Sequence, residues 1–499
     1  MFWKWTRRVV QLLFLALFVY LLTLAAYHPR AKWPPELFLQ LDPLCALSAA
    51  LTGHAIHAGL YFMALGLLIA TFVLGRFFCG WLCPLGTCID VTDWVFLRRR
   101  KRRRENANRP RLKYYLLAAG LAAALLGVQW VWMLDPIPLV TRSFVLALYP
   151  LLPAGVNAAL LPLRSHVLAA GLSANPWQEA QFQLSLVAAA VFIGVLSLSV
   201  LSRRYWCRTV CPLGALLAFV GRYGLLKRRV REGCVGCRLC VRDCKMGAIP
   251  ADEPQVTRLP ECILCFNCIV CKQPGIASIG LHWMPSGARP ATDIERRRAL
   301  QAAGWGLTYG LLGSVALGRR EHHPKLIRTP GAIVRRGGQP EVMTEEQFRA
   351  TCVRCGECMK ACPTNGIQPA FLEGGFDAIF TPVLVPRIGH CEQKCNACGR
   401  VCPTGALKPF NWEEKPGIKI GLATVDRNKC LQWRAPGRYL LCGVCYEHCV
   451  YKGVVGEHLE GELRPVVNPD KCTGCGQCER VCPVQPEAAI TVSRVETTQ

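Results

Sequence analysis

The sequence predicts an α-helical membrane domain joined to small, cysteine-rich α+β modules. Three observations predict it. Four long apolar runs crowd the first 200 residues, a Cys-x3-Cys-Pro motif occurs twice among them, and twenty-four of the thirty cysteines fall into six groups of four.

The apolar runs are Val9 to Tyr27, Ala55 to Leu74, Tyr114 to Met133 and Leu184 to Leu201. Each is long enough to cross a bilayer, which takes about 20 residues. A fifth, Ala299 to Leu317, is shorter and glycine-rich. The first run is too long and too poorly ended for a cleaved signal peptide. The chain carries a net charge of +26, and residues 98–104 are seven consecutive bases. No nucleic-acid recognition motif accompanies them, so they read as a cytoplasmic anchor between spans. Lys4, Arg7 and Arg8 likewise keep the amino terminus inside. The stretches 29–53 and 134–183 carry two bases each and are expected outside, while the bases from Arg203 to Arg231 return the chain inside.

Within this region the chain repeats itself. Arg76-Phe77-Phe78-Cys79-x3-Cys83-Pro84-Leu85-Gly86 follows the second run, and Arg204-Tyr205-Trp206-Cys207-x3-Cys211-Pro212-Leu213-Gly214 follows the fourth. Leu41-Asp42-Pro43-Leu44 follows the first, and Leu134-Asp135-Pro136-Ile137 the third. Two spans and these marks form one repeat unit, present twice in the same orientation. An i, i+4 spacing places both thiols of a motif on one helix face. Cys79, Cys83, Cys207 and Cys211, brought together by pseudo-symmetry, offer the four thiolates that an iron–sulfur cubane needs. Redox or copper-binding thiols and structural cysteines are the competing readings. Cys88 and Cys45 have no counterparts and read as bystanders. Asp42 and Asp135 suit either proton handling or helix capping, since Asp before Pro is a common helix start. His54 and His57 lie near the outer end of the second run, where at i, i+3 they could face a quinone or a haem, or stand at the interface without a role.

Three cysteine groups read Cys-x2-Cys-x2-Cys-x3-Cys: 234/237/240/244, 352/355/358/362 and 472/475/478/482. Cys262, Cys265, Cys268 and Cys271 tighten the last gap, while Cys391, Cys395, Cys398, Cys402 and Cys430, Cys442, Cys445, Cys449 stretch the first. This is the bacterial ferredoxin signature, in which three cysteines hold one [4Fe-4S] cluster and the fourth reaches its neighbour. The expected sets are therefore Cys234, Cys237 and Cys240 with Cys271; Cys262, Cys265 and Cys268 with Cys244; Cys352, Cys355 and Cys358 with Cys402; and Cys391, Cys395 and Cys398 with Cys362. The last two are Cys430, Cys442 and Cys445 with Cys482, and Cys472, Cys475 and Cys478 with Cys449. Zinc sites use paired Cys-x2-Cys units, and disulfide scaffolds belong to short secreted chains. The fold class is thus a four-span membrane domain built as a two-fold internal repeat, a fifth span, and three α+β bacterial 2[4Fe-4S] ferredoxin-like modules. Six [4Fe-4S] clusters are expected, with a further iron–sulfur cofactor at the Cys-x3-Cys-Pro motifs. No haem-attachment, flavin or dinucleotide motif occurs.

Before the fifth run stands Glu295-Arg296-Arg297-Arg298-Ala299-Leu300, which looks like a degenerate twin-arginine export signal. Expected boundaries are 1–228 for the four-span domain, 229–288 for a cytoplasmic two-cluster module, 289–320 for the leader and fifth span, and 321–345 for a linker. A periplasmic four-cluster domain, 346–499, contains modules 346–412 and 424–499. The expected location is the bacterial inner membrane, in multi-pass form.

These motifs resemble a known family. Four spans, two Cys-x3-Cys-Pro motifs and a trailing ferredoxin module resemble NapH, the membrane subunit of the quinol dehydrogenase serving periplasmic nitrate reductase; the NosR and CcoG families share the cysteine pairs. Residues 290–499 resemble NapG, the exported four-cluster partner, through the arginine-led leader, Pro330-Gly331-Ala332, Cys352-Val353-Arg354-Cys355-Gly356, Cys442-x2-Cys445-Tyr446-x2-Cys449 and Asp470-Lys471-Cys472-Thr473-Gly474-Cys475-Gly476. The chain looks like a fusion of the two. The resemblance implies quinol (menaquinol or ubiquinol) oxidation, with electrons passed to a periplasmic redox partner such as a c-type cytochrome or nitrate reductase. Two alternatives stand beside it: a transmembrane conduit fed by a cytoplasmic ferredoxin or flavoprotein, and a CcoG-like metal-reduction or cofactor-maturation protein.

Overall fold

The computed structural model describes residues 2–25, 34–52, 58–96, 110–152, 155, 180–231, 234–269, 276–281, 295–315, 325–336, 339–434, 442–459 and 462–495. They fall into two compact units. One is built from 1–23, 36–141 and 190–314, the other from 24–35, 142–189 and 315–499.

All four apolar runs form helices in the first unit or at its edge: α1 (Phe2–Leu24), α3 (Ala58–Leu74), α6 (Leu112–Ala124) and α8 (Ser185–Ser197). Among the described residues only α1 is long and apolar enough to cross a membrane by itself; α3, α6 and α8 are shorter. The third run does not continue to Met133 as expected. Gly127 takes a left-handed conformation (φ 76°), and the chain turns before the short 3-10 segment Val131–Met133.

The stretches expected as outer loops contain helices. The described parts include α2 (Pro43–Leu51), with Asp42 as its N-cap, and α7 (Pro136–Ser143), which continues as a single π turn, Phe144–Leu148. The Cys-x3-Cys-Pro motifs each make a helix, a break and a second helix. These are α4 (Phe77–Trp81) and α5 (Pro84–Val95) in the first repeat, and α9 (Tyr205–Thr209) and α10 (Pro212–Gly221) in the second. Proline at the first helical position starts α2, α5, α7 and α10, as its missing N–H and fixed φ favour. Helix α10 packs on α2, α3 and α6.

Strand β1 (Leu226–Val230) then enters the first cysteine-rich module. It pairs antiparallel with β2 (Ala277–Leu281), closing the module between its beginning and its end. Helix α11 (Arg296–Val315) is the expected fifth span, but it is not among the helices apolar enough to pass as one. It runs parallel to α6. Arg111 and Glu295 pair at 2.8 Å at one end, a Cβ at Gly306 would meet the Ala119 carbonyl oxygen at 2.1 Å, and Gly310 faces Leu126 further along. Glycine at these points lets two helix backbones touch, as in membrane helix pairs.

The second unit is made of short elements around its cysteines. The stretch 321–345, expected as a linker, is built into it from Leu326 onward: Leu326 and Ile327 are fully buried, and Arg328 pairs with Glu345. Strands β3 (Ile333–Arg336) and β4 (Gln339–Val342) form a hairpin there. Thr344 and Gln347 form a capping box at the start of α12 (Glu345–Thr351). Then come α13 (Glu357–Ala361), β5 (Ile367–Pro369), β6 (Pro382–Leu384), α14 (Ala397–Arg400), β7 (Leu422–Val425), α15 (Val444–Glu447), β8 (Val454–Leu459), β9 (Glu462–Val467), α16 (Gln477–Val481) and β10 (Ile490–Ser493). Pairs β5–β6, β7–β10 and β8–β9 are antiparallel. Pair β7–β10 closes the last module as β1–β2 closes the first. The largest apolar cluster here mixes aliphatics such as Ile327, Leu384, Ile420 and Ile490 with the cysteines themselves. Cysteines that form part of the core in this way add the free energy of metal ligation to that of apolar burial.

Candidate metal centres

The two Cys-x3-Cys-Pro motifs come together in the first unit and exchange arginines. Cys83 caps α5 and Cys211 caps α10; their Sγ atoms accept from the N–H of Gly86 (3.5 Å) and Gly214 (3.1 Å). Arg204, from the second motif, donates to the carbonyl oxygens of Cys79 (2.7 Å) and Gly86 (3.3 Å) in the first. Reciprocally, a Cβ at Gly214 in the second motif would meet the Arg76 guanidinium at 3.0 Å, while that guanidinium also lies 4.0 Å from Cys79 Sγ. All four thiols are buried. Cys83 is within electrostatic reach of Cys79 and Cys207, and Cys211 within reach of Cys207, Cys79 and Asp135. Four convergent thiols and two buried guanidiniums make a site suited to an anionic metal–thiolate centre.

The first ferredoxin-type module sits directly on this site. A Cβ at Gly80, next to Cys79, would meet the Ile263 carbonyl oxygen at 2.3 Å. Arg76 donates to Pro260 O (2.6 Å) and Trp81 Nε1 to Leu264 O (3.0 Å). Glu261 pairs with Lys113 at 2.6 Å and lies 3.6 Å from Arg76. Asp90 on α5 binds Arg204 and Lys245 (each 2.9 Å) and lies 3.7 Å from Arg7. Burial works to raise the Asp90 carboxyl, but Arg204, Lys245 and Arg7 outweigh it and hold it far below the usual carboxylate range.

Cys244, Cys262, Cys265 and Cys268, the set expected from spacing, line one pocket. Burial, then the neighbouring thiols, pushes Cys262 up to about 12. Four crowded thiols of this kind are stable as thiolates only around a cationic centre, which is the chemistry a cubane supplies. Cys234, Cys237 and Cys240 stand together and are partly exposed; their expected fourth ligand, Cys271, lies outside the described residues.

In the second unit the exchanged pairing recurs. Cys402 lies beside Cys352, Cys355 and Cys358, and Cys362 beside Cys391, Cys395 and Cys398. Cys482 joins Cys430, Cys442 and Cys445. Cys449 joins Cys472, Cys475 and Cys478 around one pocket. Backbone N–H groups donate to the fourth cysteine of several runs: Ala248 to Cys244 (3.3 Å), Leu407 to Cys402 (3.3 Å), Val454 to Cys449 (3.2 Å) and Ala489 to Cys482 (3.4 Å). Lys415 is lowered by burial, but Cys391 and its neighbours raise it more, so it stays charged beside them.

The four sets are strung in one order. Cys358 reaches Cys398; Cys391 N–H donates to Cys475 O at 2.8 Å; Cys478 reaches Cys445. The first set also meets the end of α7 and the chain just after α1. Arg142 stacks on Phe380 at 4.6 Å, donates to Arg354 O and feels Cys355, and Lys360 donates to Ala25 O at 2.8 Å.

Asp42 and Asp135 are fully buried and adjacent, and Cys45 joins them: one ligand atom from each lies within 4.8 Å of the others. Asp42 does cap α2, accepting from the N–H of Leu44 (2.9 Å) and Cys45 (3.4 Å). The meeting with Asp135 and the place of Cys45 were missed from sequence; the signal was the shared Leu-Asp-Pro of the two repeats. His54 and His57 lie outside the described residues.

Paired cysteine runs, exchanged fourth ligands and short antiparallel strands define a ferredoxin-type, multi-cluster electron-transfer protein. A family model described as a 4Fe-4S binding domain matches 56–105 and 184–231, so each match holds one Cys-x3-Cys-Pro motif; two others with the same description match 348–368 and 464–490. The ferredoxin-type protein NapG of Escherichia coli is 34% identical over 222 residues, 41% of this chain and 87% of the relative. The ferredoxin-type protein NapH of the same organism is 27% identical over 50% of this chain and 77% of the relative. The methylamine utilization ferredoxin-type protein MauN of Methylorubrum extorquens is 28% identical over 48% and 74%. The chain belongs to the NapH/NapG-type family of polyferredoxins. No solved structure matches it.

Proposed function

We propose that this chain is a membrane-bound quinol dehydrogenase component that moves electrons outward through six [4Fe-4S] clusters to a periplasmic acceptor, such as nitrate reductase or a c-type cytochrome. The observation that carries the reading is the continuity of the thiol groups. The Cys262 set abuts the four-thiol site of the repeat, and the four sets of the second unit follow one another as Cys352, Cys391, Cys472 and Cys430 groups. Each bound cubane carries one electron; the protein's own part is to fix that order, bury the thiols and hold lysine or arginine beside them.

The four-thiol site is a further iron–sulfur centre in this reading, supported by the match of a 4Fe-4S binding domain to each repeat. The parallel packing of α11 on α6 supports an outer location for the carboxy-terminal domain. Helix α6 leaves the basic, inner loop, so α11 ends on the side where α6 ends. Arg142 and Lys360 hold the Cys352 set against the end of α7 and the chain just after α1, which supports that set as the point of electron entry.

The test is anaerobic addition of menaquinol to the purified protein, with cluster reduction followed by visible bleaching and electron paramagnetic resonance. Reduction supports the assignment. Clusters that dithionite reduces and menaquinol does not would refute it. One observation favours a conduit fed from inside as the second reading: Cys234, Cys237 and Cys240 are partly exposed, with Val235 63% exposed beside them. Fast reduction by a reduced ferredoxin, with none by menaquinol, would select it.

A further inference from the structure

The Asp42–Asp135 pair lies at the meeting of the two repeats, and its oxygens are not accounted for by the protein. Both residues have no exposed surface. Asp42 Oδ2 and both Asp135 carboxylate oxygens are buried without a well-formed hydrogen bond from a protein donor; the Ile137 N–H and the Cys45 thiol are the donors that stand near the pair. The groups that act most on Asp135 are its burial, Asp42 and the Ile137 N–H; no cation is among them. Two carboxylates at this separation repel unless something positive sits between them.

The surroundings choose between a proton and a metal ion. Asp42 and Asp135 stand at the N-termini of α2 and α7, so two positive helix ends face the pair. That field stabilises one negative charge and opposes a divalent cation. Asp42 Oδ1 is also engaged with two backbone N–H groups. Trp132 Nε1 to Ser48 Oγ (2.8 Å) and Gln129 Nε2 to Ser48 O (2.9 Å) tie the second repeat to α2. The carboxyls therefore cannot easily separate.

We infer that Asp42 and Asp135 hold one proton between them as a monoanionic pair, and that this pair accepts the protons released by quinol. The inference rests on the quinol reading above. Over one turnover two quinol O–H bonds break. Each proton passes in turn to the anionic oxygen of the pair, making it a neutral diacid, and then leaves to solvent. The two electrons leave one at a time to oxidised iron–sulfur clusters. Asp135 is within electrostatic reach of Cys211.

Asp42→Asn and Asp135→Asn test this with three measurements. Menaquinol-driven cluster reduction should slow by about 100-fold in either variant, the scale of a lost proton acceptor. Dithionite reduction and iron content should match the wild type. The infrared difference spectrum of the wild type on adding menaquinol should show a protonated-carboxyl C=O band that both variants lack. If menaquinol reduces wild type and variants equally fast, the inference fails while the quinol reading stands. If menaquinol does not reduce the wild type, both fail. A stoichiometric non-iron metal present in the wild type and lost in Asp135→Asn would show a cation in the proton's place and overturn the inference. Should Asp135→Asn not fold, Asp42→Asn with all three readouts is sufficient, and Asp42→Glu should recover part of the rate.

Discussion

Asp90 joins three cations from different parts of the first unit, and replacing it with Asn should loosen the inner module. Its carboxylate faces Arg204 and Lys245 at 2.9 Å and Arg7 at 3.7 Å, and accepts from Gln11 at 3.1 Å. These partners come from the second repeat, the ferredoxin-type module and α1. Removing one member of a buried ion pair leaves the others charged and unpaired, at a cost of about 3–5 kcal/mol. For a unit of this size that corresponds to a fall in Tm of roughly 10 °C. The pH dependence has a defined sign. A carboxyl held below its ordinary value contributes stability above that value, 3.8, and the contribution is lost as pH falls through the lower folded-state value. Between pH 7 and 5 the Asp90 contribution is therefore constant, and the gap between wild type and Asp90→Asn should not change there. The assay is thermal unfolding of purified protein followed by cluster absorbance, with limited proteolysis of residues 229–281. A Tm within about 2 °C of wild type would refute the argument that this network holds the module in place.

Other expected outcomes follow from close contacts and ligand exchange. Gly80→Val should push the Ile263 carbonyl outward, since even a Cβ would meet it at 2.3 Å; reduction of the Cys262 cluster by menaquinol should slow while total iron is retained, and unchanged kinetics would argue against that contact. Cys482→Ser should remove the cluster of Cys430, Cys442 and Cys445 and leave that of its own run, lowering iron by about four atoms per chain; spectral loss of the Cys472 cluster instead would contradict the exchanged pairing. Gly306→Leu should separate α11 from α6, where the Ala119 carbonyl stands 2.1 Å from a Cβ, and lower membrane-inserted yield measured by carbonate extraction. Iron removal by chelation under reducing conditions should unfold 346–495 before the helices, seen as loss of strand signal in circular dichroism with helical signal retained.

Cysteine spacing made the ferredoxin-type ligand sets legible, because three thiolates two residues apart can wrap only a compact cluster and leave the fourth to reach its neighbour. The Cys402, Cys362, Cys482 and Cys449 exchanges read from spacing have the corresponding placement in the structure. The repeated Arg-x2-Cys-x3-Cys-Pro also announced the meeting of the two motifs. It did not announce that Arg76 and Arg204 would cross over, since composition carries no sign of which partner a buried arginine takes. Hydropathy located helices but not their ends: Gly127 stops α6 well before the apolar run does. Asp before Pro marked helix starts at Asp42 and Asp135, and α2 and α7 begin there, but the length of these helices inside stretches expected as outer loops was not legible without a period to count. Charge and proline content suggested a linker at 321–345, and the burial of Leu326 and Ile327 against the rest of the unit overrode it.

The central claim is directional: electrons enter from quinol within the membrane and leave on the side of the carboxy-terminal domain. It is tested most directly in sealed vesicles containing menaquinol and the full chain, with a membrane-impermeant one-electron oxidant supplied on one side at a time. Orientation is scored by labelling a cysteine introduced in place of Thr497. Sustained oxidant consumption is expected only when the oxidant is on the side bearing that label. Consumption on the opposite side alone, or on neither, would contradict it.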